Sequence, residues 1–283
     1  MTEIDTIKVH ETPSPLARSR WQRVRRWVLI AAAVLAVLAV LNFVVAALGA
    51  KLGLWGWQFG LGVMSAQVGP LLLGASIVAG ITALLFALLV KPRRGIAVAA
   101  LALIVGVVGI ARLSAVRATV ASLPFIHDVS TDTEDPPVFT DVILTERAAV
   151  PGVNTLDYVG KTAPKAQADG TTKQVLVSAL QTQGYPEIRT LVLSEPVDVV
   201  FGRAEQVARD LGWKIKSSDV EAGTIEATAT TFWYGFEDDV AIRLRPAAGG
   251  GTRVDARSVS RVGGSDIGAN AERLQDFLNA MRE

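Results

Sequence analysis

The chain contains no cysteine, so no disulfide staples it and no thiol is available for catalysis or metal binding. Histidine is almost absent too: His10 and His127 are the only two in 283 residues. Zinc sites normally draw on several His and Cys ligands, so a metal beside His127 and Asp128 would have to rely on carboxylates. A structural or solvent-exposed histidine is the better reading, and no metal or other cofactor is expected. Acidic residues are missing from three long apolar runs in the first 111 residues. A proton relay or cation pathway within the membrane uses such carboxylates, which argues against an ion-coupled transporter.

Those runs cover residues 27–50, 70–90 and 95–111. A helix needs roughly 20 apolar residues to cross the hydrocarbon, and helices satisfy their own backbone polar groups there. The first two runs reach that length. The third is short unless Arg112 or Arg117 snorkels to the headgroups. Residues 51–69 carry Trp55, Trp57 and five glycines, which suits a short interfacial loop with belt tryptophans, or alternatively a re-entrant segment. Asn42 in the first run is expected to make a helix–helix hydrogen bond. Length and the two following spans argue against a cleaved signal peptide.

Basic residues set the expected topology. Arg18, Arg20, Arg23, Arg25 and Arg26 precede the first run, and Lys91, Arg93 and Arg94 lie between the second and third. The positive-inside rule then places the N-terminus and the 91–94 turn in the cytoplasm, and the polar C-terminal part on the far side. The arginine cluster also suits anionic headgroups of the inner leaflet. It is not on a folded domain, so nucleic-acid binding is not expected. The overall charge of +1 hides a division: residues 1–119 carry +9 and residues 120–283 carry −8.

The expected organisation is a basic tail (1–26), a three-helix anchor (27–117), an extended strap (118–170) and an exported α+β domain (171–283). The strap reads PFIHDVSTDTEDPPVFT over 124–140, and its turn formers and adjacent prolines predict irregular structure. It either packs along the domain, with Phe139 and Tyr158 as anchors, or forms a partly flexible tether. In the domain, helices are expected at 171–183, 196–211 and 265–281, the last capped by Ser265 or Asp266. Strands are expected at 188–193, 213–218, 224–231, 239–245 and 252–261. The last three alternate apolar and polar residues, predicting an antiparallel sheet with helices packed on one apolar face.

The opposite, polar face carries the functional candidates. Glu226, Arg243, Asp255 and Arg257 project to it, while Asp238, Asp239, Arg261 and Asp266 lie at strand ends. Three readings stay open. The first is a ladder of ion pairs on a face open to water. The second is an anionic ligand, lipid or envelope protein held by arginine forks. The third is a hydrolase or modifying enzyme using Asp238 or Asp239, although adjacent strand residues point to opposite sides and no base partner is evident. Phe232, Trp233, Tyr234 and Phe236 form an aromatic knot between two strands, whose default role is packing or a hairpin. If exposed, it would contact sugar or lipid. Small residues in the spans also allow homo-oligomers or an assembly role for the anchor.

The stretches IHDVSTDTEDPPVF, GW at 212–213, IEATATTFWYGFEDDVAIRLRP and VDARSVSRVGGSDIGANAERLQDFL occur in that order. In this combination residues 124–283 resemble the bacterial and plastid family known as domain of unknown function 1499 (DUF1499), and the anchor resembles that of proteobacterial members. The resemblance implies a bacterial inner-membrane protein with a periplasmic domain. It marks Asp238, Asp239, Arg243, Asp255, Arg257, Ser258, Ser260, Arg261, Asp266 and Asn270 as motif residues without giving them roles.

Overall fold

The computed structural model describes residues 15–167 and 169–283. His10 and the first fourteen residues of the expected cytoplasmic tail lie outside them. The chain divides into two compact units, one ending at Arg117 and the other beginning at Ala118.

The first unit holds α1 (Pro15–Lys51), α2 (Gly69–Leu89) and most of α3 (Ile96–Ser122). Three helices, Arg20–Lys51, Gln58–Leu89 and Ile96–Ser122, are long and apolar enough to cross a membrane. The reading of residues 51–69 as an interfacial loop or re-entrant segment is corrected. Only a short turn follows Lys51, and a π-helical stretch, Gln58–Val68, runs directly into α2. Glycine permits this. The indole of Trp55 lies against Gly49, where a Cβ would approach it to 2.0 Å, and donates to the Ala46 carbonyl at 3.2 Å. Asn42 makes the expected interhelical bond, donating to the Met64 carbonyl at 2.9 Å. The third helix is not short: it continues through Arg112 and Arg117 to Ser122.

Both basic segments lie at one end of this unit. Arg25 donates to the carbonyls of Val90 (2.7 Å) and Pro92, and Gln22 donates to that of Lys91 (3.0 Å). The second and third helices touch backbone to backbone. A Cβ on Gly80 would come within 2.6 Å of the Leu103 nitrogen, and one on Gly106 within 2.8 Å of the Leu73 carbonyl oxygen. Ser76 donates across the same seam to the Ala102 carbonyl at 2.8 Å.

The second unit is built on an antiparallel sheet in the order β1-β8-β7-β6-β5, with β4 also paired to β8. The strands are β1 (Asp128–Ser130), β4 (Leu191–Leu193), β5 (Lys214–Asp219), β6 (Thr224–Thr230), β7 (Glu237–Pro246) and β8 (Thr252–Ser260). The predicted alternation is observed. Ile225, Ala227, Val240, Ile242, Leu244, Val254 and Ala256 are buried in the main core. Against it pack α6 (Val197–Asp210), through Val200, Phe201, Ala204 and Ala208, and α7 (Ala269–Ala280), through Leu274, Phe277 and Leu278. Trp213 stacks near Phe277 with ring centres 5.5 Å apart.

Two local expectations are corrected. Residues 171–183 are not one helix: Thr172–Leu176 forms β3, paired with β2 (Thr162–Ala166), and only Val177–Gly184 is helical, as α5. The Thr and Val residues of this stretch suit a pleated strand better than a first helical turn. The strap at 118–170 is not irregular throughout, since it contributes β1, α4 (Asp141–Ala148) and β2.

Widening either glycine contact should loosen the helical unit. Gly80→Val and Gly106→Val are each expected to lower the thermal midpoint of the detergent-purified protein by several degrees, whereas Gly62→Val, where a Cβ meets nothing within 4 Å, should not. Thermal scans of the three variants check this.

Candidate functional site

Period-two alternation points Asp239, Ala241, Arg243 on β7 and Arg253, Asp255, Arg257, Val259 on β8 away from the apolar core. The expectation that this face lies open to water is corrected. Glu226, Asp239, Asp255, Arg257 and Arg261 are all buried. Residues 131–158 cover them. Phe139 and Ile143 of that segment pack on Ala241 and Val259, the two small apolar residues among the charges.

Arg257 is the centre. Its Nε and Nη2 donate to the two carboxylate oxygens of Asp128 at 2.9 and 2.7 Å, and both side chains are about 3 % exposed or less. Pairing of β1 with β8 sets Ser130 opposite Arg257 and so brings Asp128 alongside it. The remaining donors go to the carbonyls of Leu156 (2.6 Å) and Pro137 (3.3 Å). The rings of Phe139 and Tyr158 lie 5.5 and 5.6 Å from the guanidinium carbon, within cation–π range. Tyr158 donates to Gln181 at 2.7 Å, and burial, followed by the charge of Asp128, pushes its phenol pKa up.

Asp239 organises a second cluster. It accepts from Arg147 (2.8 Å), Arg261 (2.7 Å) and Thr228 (2.9 Å) and is fully buried. Arg261 also reaches Glu237 (2.5 Å) and Glu146 (2.8 Å). Burial opposes the charge on Arg261, but bonds to Asp239 and Glu146 outweigh it and raise its pKa. Hydrogen bonds from Lys216 and Arg261 hold Glu146 below the usual carboxylate value. Asp238 points the other way, as expected of its neighbour on the strand, and accepts from Arg273 of α7 at 2.7 Å.

A third cluster runs outward. Asp255 accepts from Thr190 (2.5 Å), Arg253 (2.9 Å) and Arg243 (3.2 Å). Burial pushes its carboxyl up, but these bonds together hold it below its ordinary value. Arg243 and Arg245 meet Asp135, and Arg253 meets Asp132. Asp132 also shapes its own segment: its Oδ1 accepts from the backbone of Glu134 and Asp135, a local turn suited to TDTEDPP. Exposure rises along this cluster. Arg243 is 8 % exposed, Arg253 40 %, Arg245 52 % and Asp135 61 %. The outer members, with Val192, line an open depression of about 660 Å³.

The other predicted residues fall elsewhere. Asp266 accepts from the backbone of Gly268 and Asn270 and so caps α7; burial pushes its pKa up despite these bonds. Asn270 is fully buried and ties α7 to β8 through Ser258 and Ser260, and to β1 through the His127 carbonyl. Trp233 and Tyr234 sit at the β6–β7 turn, where Phe232 and Trp233 are 73 % and 53 % exposed and Tyr234 stacks on Phe236. Sequence reasoning did not find the partners Asp128, Asp132, Asp135, Glu146 and Arg147. The acidity of 128–135 was the only signal for the three aspartates, and Glu146 and Arg147 gave none. Among the described residues no three His, Cys, Asp or Glu side chains are arranged to hold a metal.

Residues 128–281, opening on Asp128 itself, match the family described as protein of unknown function (DUF1499). The chain belongs to the DUF1499 family. No curated protein matches it. The DUF1499 match spans all three ion-pair clusters and both core helices, so the family region is the domain from β1 to α7.

Two outcomes follow. Arg257→Met or Asp128→Asn strands a buried charge, and each should lower stability by about 3–5 kcal/mol. Arg245→Ala, at the exposed end, should leave the denaturation curve in place; chemical denaturation of the detergent-solubilised protein checks both. Acid should also weaken the domain. Asp255 and Glu146 contribute fully above their ordinary values of 3.8 and 4.5 and lose that contribution as pH falls through their lower folded values. Stability measured between pH 6 and pH 3 is expected to fall mainly below pH 4.5, less steeply in Asp255→Asn.

Proposed function

We propose that this DUF1499 protein is a non-catalytic binding protein of the bacterial inner (plasma) membrane. Its N-terminus is cytoplasmic and its C-terminal domain periplasmic. The outer end of the Arg/Asp sheet face engages an envelope protein. The two basic segments at one end of the helical unit support the orientation.

The observation that carries the binding reading is the exposure gradient across the charged face. Arg257, Arg261 and Asp239 are enclosed, with partners from the chain itself. They form the frame. Arg245, Arg253 and Asp135, beside exposed Val192, are the part a partner reaches. Charges of both signs around an apolar centre suit a polypeptide surface more than a bare phosphate, which Asp132, Glu134 and Asp135 would repel.

The alternatives have less behind them. A hydrolase working through Asp239 would need a carboxylate open to substrate, but Asp239 is fully buried between Arg147 and Arg261. Asp238 is held by Arg273. An assembly role for the anchor draws on its small residues, yet Gly80 and Gly106 already serve contacts within the chain.

The test is crosslinking in intact membranes from a photoreactive residue at position 192. The variant Arg245→Glu, whose partner Asp135 is 61 % exposed, should lose the captured protein while keeping the wild-type denaturation curve. Capture unaffected by this reversal would remove this end of the face from the interaction. Capture of lipid in place of protein would replace the partner.

A further inference from the structure

A second arrangement lies among other residues, and none of the three clusters uses it. His127 and Lys161 face each other with Nε2 and Nζ 3.1 Å apart, and His127 Nδ1 lies 3.3 Å from the Gly264 carbonyl oxygen. A carbonyl can only accept, so Nδ1 carries the proton. Nε2 then presents its lone pair, and the Lys161 ammonium donates to it. Burial, and then the charge on Lys161, push the imidazole below its ordinary pKa. Burial also lowers the lysine.

The Lys161 ammonium feels two carboxylates, Asp128 and Asp157, without being bonded to either. Among the described residues no carboxylate lies within ion-pair distance of Lys161. The carboxylate that most strongly influences it, Asp128, already gives both oxygens to Arg257. Lys216, by contrast, has Glu146. A half-buried cation with no directly paired carboxylate stands out in a region carrying −8. The pair lines a cavity of about 160 Å³ whose other walls include Ile126, Asp128, Ala163, Pro164 and Val177, with the Asp128 carboxylate turned to Arg257. The space is well below the 300–1,000 Å³ of sites for drug-sized molecules.

We propose that this cavity binds a small monocarboxylate with a short apolar tail, its carboxylate accepting from Lys161 beside the His127 ring and its tail against Ala163, Pro164 and Val177. One negative charge matches the one ammonium. The apolar walls select a hydrocarbon tail over a hydrated inorganic anion. The Lys161 ammonium keeps donors free after its bond to His127.

The test uses the full-length protein in a non-ionic detergent with isotope-labelled histidine. The two histidines give two imidazole signals, and His127→Gln assigns one of them. Butyrate is the probe, with 1-butanol as a neutral control of like size. Butyrate should shift the His127 signal saturably. It should also raise the titration midpoint of His127, because an anion favours the imidazolium against Lys161 and Arg147, adding to the effect of Asp128. 1-Butanol should do neither. Lys161→Met, which keeps the apolar stem, should weaken butyrate at least tenfold. The proposal is overturned by the absence of a saturable shift, by an equal response to 1-butanol, or by undiminished binding in Lys161→Met.

Discussion

The C-terminal unit depends on one buried guanidinium. Removing an arginine from water costs several kcal/mol unless its donors are met and its charge is balanced. Arg257 meets that demand with groups from Asp128, Pro137 and Leu156, and with the rings of Phe139 and Tyr158. One side chain on β8 thereby fixes five points of a segment that has little regular structure of its own. Hydrogen bonds are directional, so these contacts select one path for the segment across the sheet. A hydrophobic face alone would accept many.

The two faces of the sheet divide the work accordingly. The apolar face buries aliphatic and aromatic side chains under α6 and α7, and that non-directional burial supplies most of the driving force. The charged face contributes less net stability, since desolvation offsets much of each ion pair. Its contribution is geometric. Ala241 and Val259 leave room between the charges for Phe139 and Ile143, so the covering segment packs as well as pairs. Asp239, between Arg147 and Arg261, joins α4 to the sheet in the same way.

Local features were legible in the sequence and distant ones were not. Uncharged length revealed three spans, and alternation revealed β6, β7, β8 and the side each residue faces. Alternation says nothing about what lies over a face, which is why Arg257 read as solvated. Its partner Asp128 stands 129 positions earlier, beside a solitary histidine that invited a catalytic or metal reading. Phe139 and Tyr158 were recognisable as anchors because large aromatics in a polar segment need burial. The π-helical stretch was hidden by its glycines, which signal a turn locally, while in the folded unit Gly60 lies close to the Ala46 carbonyl and the Trp55 indole nitrogen. Thr172–Leu176 read as the start of a helix, its strand character being set by pairing with Thr162–Ala166.

The exposure gradient across the charged face separates folding from recognition within a single set of motif residues. Arg243 has its neighbours on both sides: Asp255 is enclosed, while Asp135 is largely in water. Inward of Arg243, removing a charge leaves its partner buried and disturbs the covering segment. Outward of it, water replaces a lost partner at little cost. A motif that looks uniform in sequence is therefore not uniform in consequence. Loss of function after a change at Arg257 reports first on whether the segment still lies on the sheet. Loss after a change at Arg245, with the frame intact, reports on what the surface touches.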